Sequence, residues 1–217
     1  MTGIDYLFPC LSPESADPQT IPTRLLREEL ERELHQRRNS YPARVDKGRM
    51  CRHDAERGID LVRGLVEHYR RIETMDAWYE GQNGPQGDAL WQAHLKQEEA
   101  ADKALQPFRW SEVVIALQRE ILLRRRYYPQ WISGGTLEPI RARHQLERIE
   151  TVHFHWWVGM AQFMPDHLHH KQEAMRKPGP EREEYQRCAR EHRARFDYSN
   201  NRGTYVAAPE QQQEMAL

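Results

Sequence analysis

Histidines are the first side chains here whose type and spacing suggest chemistry, because imidazole is a common ligand of transition metals. His153 and His155 lie two residues apart, and His167, His169 and His170 follow closely. Residues i and i+2 of a helix point about 200° apart, so His153 and His155 cannot easily hold one ion. The later three could chelate one, yet no His-Glu-x-x-His motif or paired cysteine completes a site. We therefore expect no metal and no other cofactor, and keep metal binding by the three later histidines as an alternative.

A run of arginines followed by a Tyr-Pro-x-Trp turn is the second group, and it suggests binding rather than catalysis. Tyrosine, tryptophan and arginine are the side chains most enriched at binding hot spots. The same rings could instead plug the open end of a helical hairpin, with the proline stiffening its turn. Both interpretations stay open. The predicted partner-binding residues are Arg124, Arg125, Arg126, Tyr128 and Trp131, with Tyr41 and Arg44 at the corresponding places of an earlier copy.

Arginines beside aromatic rings are also typical of proteins that bind single-stranded nucleic acid, where bases stack on the rings. Glu120, Glu138, Glu147 and Glu150 are interleaved with these arginines at helical spacing, which favours a solvated, salt-bridged surface. The connections within each copy are longer than the tight turn of a DNA-binding helix-turn-helix. Nucleic acid is therefore the less favoured partner.

Motifs for covalent catalysis are missing from the sequence. There is no Gly-x-Ser-x-Gly nucleophile elbow, and the glycine-rich stretch at residues 81–87 lacks the Gly-Lys-Ser/Thr ending of a phosphate loop. Cys10, Cys51 and Cys188 are scattered and odd in number, which argues against a disulfide framework and fits a reducing cytoplasm. We expect a protein that is not an enzyme.

The elements that must position these residues occur twice. The stretch from Arg32 to Tyr69 recurs 87 residues later as Arg119 to Trp156, without a gap. Such an internal repeat shapes the whole fold, and here it predicts one helical hairpin built twice. The identical pairs are Leu30/Leu117, Arg32/Arg119, Glu33/Glu120, Arg37/Arg124, Arg38/Arg125, Tyr41/Tyr128, Pro42/Pro129, Gly48/Gly135, Ala55/Ala142 and His68/His155.

Each copy has the pattern of two helices joined by a short turn. Apolar residues recur three or four apart, as in a helix with one buried face. We expect the first helix of each copy to end just before Pro42 or Pro129, because the residue before proline avoids the α region. Gly48 and Gly135 are expected in the turns. The predicted core faces are Leu26, Leu30 and Leu34, then Ala55, Ile59, Val62, Val66 and Tyr69, and in the second copy Val113, Val114, Leu117, Ile121 and Leu122, then Ala142, Leu146, Ile149, His153 and Trp156.

The sequence thus predicts an all-α helical bundle in which two homologous antiparallel hairpins are joined by a bridging helix. Its segments are an extended arm (1–22), the first hairpin (23–80), a flexible joint and bridging helix (81–109), the second hairpin (110–165), and a polar helix with a mobile tail (166–217). Rings on several faces of the stretch 153–164 favour burial in the core or at a homodimer seam.

Composition sets broad limits on partners and location. The formal net charge is −1 and the charged fraction is 30%, so no global attraction to nucleic acid or membrane is expected. The first residues lack a signal-peptide pattern, and no stretch approaches the roughly 20 apolar residues of a membrane span. We expect a cytoplasmic protein without a membrane partner.

The turn of the second copy resembles a signature of small, largely uncharacterised proteins of bacteriophage and prophage genomes. In that signature two arginines precede Tyr-Pro-x-Trp, a hydrophobic residue, a glycine and a capped helix. The first copy departs from it at Arg44, in place of tryptophan, and at Cys51, in place of a capping threonine; the second has Glu138 at the capping place. The resemblance implies a phage-type helical hairpin and carries no activity. The match is carried by Arg124, Arg125, Tyr128, Pro129, Trp131, Ile132, Gly135 and Leu137, and in the first copy by Arg37, Arg38, Tyr41, Pro42, Val45, Gly48 and Met50.

These observations predict a non-enzymatic phage or prophage accessory protein that binds a host or phage protein in the host cytoplasm. A defence inhibitor of the anti-CRISPR kind is one concrete form. The alternatives are a nucleic-acid-binding accessory protein and a metal-binding protein, and a homodimer is also possible. The aligned turns differ, with Arg44 against Trp131 and Asn39-Ser40 against Arg126-Tyr127. We therefore expect the first hairpin to be scaffold and the second to carry binding.

Overall fold

The computed structural model describes Phe8, Leu11, Ser12, Ser15, residues 18–159 and two short strands. Across these residues the fold is a helical bundle, as the sequence predicts. Its α-helices are α1 Thr23–Asp46, α2 Arg52–Gly81, α3 Gly87–Leu105, α4 Trp110–Ser133 and α5 Pro139–Phe154, with a 3-10 turn at Pro18–Thr20 and a π-helical turn at His155–Gly159. Among the described residues, no helix combines the length and the hydropathy that a membrane span requires.

Two strands of two residues each are also present among the described residues. The strand β1, Phe196–Asp197, pairs antiparallel with β2, Thr204–Tyr205. The polar helix predicted within residues 166–217 is expected to run from Glu181 to Phe196, but Phe196 lies in a strand. The rest of that predicted helix lies outside the described residues, as do His167, His169 and His170.

The core lies where the apolar spacing predicts it. Leu26 and Leu30 of α1 and Ile121 of α4 are fully buried. The predicted core positions Ile59 and Leu146 are half-buried. Leu122, which the sequence also places in the core, is 42% exposed. It follows Ile121 directly, and one residue turns the side-chain direction by about 100° around a helix.

The two prolines of the repeat do not end their helices, and this prediction is wrong. α1 continues through Pro42 to Asp46, and α4 continues through Pro129 to Ser133. Proline removes one backbone donor, so the carbonyl four residues earlier loses its helical bond. Both prolines are exposed and lie in the last turns of their helices. Water can satisfy the freed carbonyl there, and little helix remains to be bent.

The turns that follow the two helices contain Gly48 and Gly135, which have positive φ angles of 65° and 70°. In the first turn the N–H of Gly48 donates to Val45 at 2.9 Å, and in the second the N–H of Gly135 donates to Ile132 at 3.0 Å. The two residues of the first bond precede the two residues of the second by 87 positions. A left-handed residue in a helix-ending turn favours glycine, as expected.

The second helix of each hairpin begins with a side-chain cap. The Cys51 sulfur accepts the N–H of Asp54 at 3.3 Å. The Glu138 carboxylate accepts the N–H of Ile140 at 2.9 Å and that of Arg141 at 2.7 Å. These two backbone bonds lower the pKa of Glu138. Different side chains therefore perform the same capping task at aligned positions.

The chain divides into two compact units. One is Pro22–Phe108, which holds α1, α2 and α3; the other includes α4, α5 and the described residues before Pro22. Within the first unit α3 packs closely along α2, because a Cβ added at Gly64 would lie 2.7 Å from Leu105 Cδ2. Helix α3 thus belongs with the first hairpin and the arm with the second. α4 begins at Trp110, and Glu112 in its first turn accepts the N–H of Arg109 at 2.9 Å.

Candidate partner-binding surface

Arg124, a predicted binding residue, is buried inside the second hairpin. We call its contacts with Glu120 and Gln145, and the aligned contacts of the first hairpin, the hairpin frame. The Arg124 side chain is 3% exposed, and its Nε donates to Glu120 at 2.8 Å. Its Nη1 donates to the backbone carbonyl of Gln145 on α5, also at 2.8 Å. One guanidinium therefore ties α4 to α5.

The aligned arginine of the first hairpin makes the same contacts. Arg37 donates from Nε to Glu33 at 2.7 Å and from Nη1 to the carbonyl of Gly58 at 3.0 Å. All three residues precede their counterparts Arg124, Glu120 and Gln145 by 87 positions. The sequence repeat thus coincides with a repeat of local contacts; its origin by duplication stays a prediction.

The tyrosines of the two turns lie in different environments. Tyr128 is 6% exposed, and its hydroxyl donates to Gln145 Oε1 at 3.0 Å. Tyr41 is half-buried, with Gly58 at the position aligned with Gln145. A Cβ at Gly58 would lie 3.2 Å from Tyr41 Cε2. The Tyr41 ring can therefore lie close to the backbone of α2 because residue 58 is glycine. Arg44 is exposed, and its guanidinium lies 5.6 Å from the centre of the Tyr41 ring.

Arg125 is engaged by the buried carboxylate of Glu150. Its Nε and Nη2 donate to Glu150 Oε1 at 3.0 and 2.8 Å. The same carboxylate accepts the N–H of Ser12 at 2.9 Å, the hydroxyl of Ser12 at 2.6 Å and that of Ser15 at 2.5 Å. Phe8 lies 5.3 Å under the Arg125 guanidinium and edge-on to His153 at 5.2 Å. The described arm residues Phe8, Ser12 and Ser15 therefore contact α4 and α5, and Arg125 helps to hold them.

The exposed side of α4 carries the remaining predicted residues, Arg126 and Trp131. We define the α4 contact face as Leu122, Leu123, Arg126, Tyr127 and Trp131. Leu122, Leu123 and Trp131 are 42%, 40% and 42% exposed. The rings of Tyr127 and Trp131 stack at 6.1 Å and 18°, and the Arg126 guanidinium lies 5.4 Å from the Tyr127 ring. Spacings of three and four place these side chains on one side of the helix.

The aligned side of α1 is polar throughout. Subtracting 87 positions from the α4 contact face gives a set of exposed residues without a leucine, tyrosine or tryptophan. They are His35, Gln36, Asn39, Ser40 and Arg44. A helix in the same frame can therefore carry a fully polar surface at these positions, and the apolar residues of α4 are not required by the frame.

Two histidines of the predicted metal-binding group are described, His153 in α5 and His155 directly after it. His153 is fully buried, as expected for a core histidine, and His155 lies in the π-helical turn. Burial lowers the pKa of His155 to about 4. In the part of the chain that the structure describes, no three histidine, cysteine or acidic side chains are grouped to hold an ion.

Comparison with known proteins adds no family to this picture. No family model, curated protein or solved structure matches the chain significantly.

The structure divides the predicted binding residues of α4 into two groups. It buries Arg124 and Tyr128 and pairs Arg125 with Glu150, while Arg126 and Trp131 lie on the surface. Sequence reasoning missed both exposed leucines: it placed Leu122 in the core and gave Leu123 no role. Their alignment with His35 and Gln36 was the available signal.

Proposed function

We propose that this chain is a non-enzymatic binding protein that engages a host or phage protein through the α4 contact face. The observation that carries the proposal is the replacement of a polar surface on α1 by leucines, stacked rings and an arginine at the aligned positions of α4. Exposed apolar side chains grouped with aromatic and arginine residues are typical of protein interfaces.

A protein partner is favoured over nucleic acid by the composition of the face. Arg126, Tyr127 and Trp131 alone would suit phosphates and stacked bases. Leu122 and Leu123 add aliphatic surface that such stacking does not need. A protein can cover this surface with apolar side chains of its own. A defence inhibitor of the anti-CRISPR kind is one form of this role, suggested by the phage-type turn.

The experiment exchanges four of the five residues of the α4 contact face, all but Tyr127, for the residues that α1 carries at the same places. The variant Leu122→His, Leu123→Gln, Arg126→Asn, Trp131→Arg should keep the helical circular dichroism and melting temperature of the wild type. Affinity capture from cells that express the chain, read by mass spectrometry, should then lose the specifically enriched protein.

The matched control is His35→Ala, Gln36→Ala, Asn39→Ala on α1, which should retain the captured protein. A folded four-residue variant that captures the same protein as the wild type would reject the α4 contact face as the binding surface.

A further inference from the structure

The α4 contact face lies on a helix whose carboxylates are already engaged. Glu112 accepts the N–H of Arg109 at 2.9 Å, and Glu120 pairs with Arg124 at 2.8 Å. Arg126 is exposed, and so is Arg119, one turn before Leu122 and Leu123. In the described part of the chain neither of these two arginines forms an ion pair. Their positive charge is therefore not neutralised by α4 itself.

The first hairpin pairs the arginine aligned with Arg119 and has the uncharged Asn39 in place of Arg126. Arg32, aligned with Arg119, pairs with Glu29 through its Nη2 and Nε, the latter at 3.1 Å. The position aligned with Glu29 is Ala116. Two further acidic residues of α1 also have uncharged counterparts: Glu28 aligns with Ile115 and Glu31 with Gln118. α4 thus keeps the arginine but lacks the acidic residues that accompany it in α1.

We propose that the α4 contact face takes an acidic amphipathic helix of the partner protein, with apolar side chains on the leucines and Trp131 and carboxylates on Arg119 and Arg126. The inference rests on the proposed function and adds the chemical class of the partner segment. Carboxylates are the natural complement of guanidinium groups, which they can bind through two parallel bonds.

The geometry of the face fits a helix. Leu123, Tyr127 and Trp131 are four residues apart and form a ridge about 12 Å long, at a rise of about 1.5 Å per residue. Ridges of this spacing pack into the grooves of a second helix. The stack between Tyr127 and Trp131, at 6.1 Å, orders both rings before binding and lowers the entropy that binding would cost.

The test uses two synthetic helical peptides of about 15 residues, long enough to form helix when rich in alanine. Both carry leucines on one face; one carries glutamates beside them and the other carries lysines at the same places. The readout is the indole N–H signal of Trp131 in the nuclear magnetic resonance spectrum of the full chain, assigned with Trp131→Phe. The acidic peptide should shift this signal saturably and the basic peptide should not.

Charge reversal at the two arginines should then invert the preference. In Arg119→Glu, Arg126→Glu the acidic peptide should bind about fivefold to thirtyfold more weakly, which two exposed ion pairs can supply. The control Arg38→Glu, Arg52→Glu changes the net charge equally at exposed positions of the first hairpin. It should keep the wild-type preference.

Three results would overturn the inference: no shift with the acidic peptide, equal shifts with both peptides, or a preference that the reversal leaves unchanged. A saturable shift with a single-stranded oligonucleotide at low salt, and none with the acidic peptide, would assign the face to nucleic acid. The proposed function is read separately by capture. If the four-residue variant loses the captured protein while Arg119→Glu, Arg126→Glu keeps it, the binding role stands and the acidic helix is wrong.

Discussion

The two hairpins of this protein share an interior and differ on the outside. Arg37 and Arg124 make the same pair of bonds, to a carboxylate four residues earlier and to a carbonyl of the next helix. Gly48 and Gly135 end the helices with the same left-handed turn. The surfaces above this frame have no such likeness. The two hairpins therefore share their buried polar contacts, while their exposed sides differ in chemistry.

The second difference lies around Glu150. This carboxylate is fully buried beneath Ser12 and Ser15 of the arm and pairs with Arg125. The aligned residue of the first hairpin is Arg63, which is exposed and pairs with Asp60 at 2.6 Å. The second hairpin is therefore completed by a segment from the start of the chain, and the first is covered by α3.

The largest effect in this comparison is expected from Glu150→Ala. The change leaves Arg125 without its buried carboxylate and removes the acceptor of both serines, so the free energy of unfolding should fall by about 4–5 kcal/mol. Arg63→Ala, at the aligned exposed position, should change it by less than about 0.5 kcal/mol. Urea denaturation followed by circular dichroism compares the two, and similar losses would contradict the account of the arm.

The next effect tests the shared frame. Arg37→Ala and Arg124→Ala each leave a largely buried glutamate and a carbonyl without their donor, so each should lower the free energy of unfolding by about 3 kcal/mol. Because the contacts are the same, the two losses should agree within about 1 kcal/mol. Chemical denaturation of both variants provides the check. A large loss in one and a negligible loss in the other would show that the frames are not energetically equivalent.

A pH dependence should distinguish the second hairpin. The pKa of His155 is lowered from 6.5 to about 4 by burial, so between these values the unfolded chain binds more protons than the folded one. The contribution of His155 to the free energy of unfolding should be constant above pH 6.5. It should fall by about 1–3 kcal/mol as the pH drops towards 4. His155→Gln should flatten the stability curve in this window, measured by thermal melting at pH 4.5 to 7.5. An unaltered slope would contradict the assignment to His155.

The smallest effect concerns the turn tyrosines. Tyr128→Phe removes the buried bond to Gln145 and should cost about 1 kcal/mol, whereas Tyr41→Phe should cost less than about 0.5 kcal/mol. Thermal melts of the two variants measure the difference. Equal losses in the two variants would mean that the two hydroxyls stabilise the fold equally, in spite of their different burial.

Much of the interior could be predicted from the sequence because helical periodicity and glycine turns are local properties. Leu26, Leu30 and Gly48 lie where these patterns place them. Pro42 shows the limit of such reasoning: the avoidance of helix before proline is a preference, and an exposed last turn overrides it. The hydrogen bond from Ser12 to Glu150 joins residues 138 positions apart. Local sequence patterns cannot predict such a contact.

The candidate surface was predictable only in part, for a related reason. Arginine and tyrosine are enriched both at interfaces and in buried hairpin contacts, so residue type alone did not separate Arg124 and Tyr128 from Arg126 and Trp131. Burial separates them. Leu122 was assigned to the core because its neighbour Ile121 belongs there, although the aligned His35 pointed to the surface.

The most direct test of the central claim compares affinity for the captured partner between two folded variants. One carries Leu122→His, Leu123→Gln, Arg126→Asn, Trp131→Arg; the other carries alanine at His35, Gln36, Asn39 and Arg44. Isothermal titration should show that the first variant binds at least about 100-fold more weakly than the wild type, as the loss of hot-spot residues produces. The second should bind as the wild type does. Wild-type affinity in the first variant, or an equal loss in both, would contradict the assignment of binding to the second hairpin.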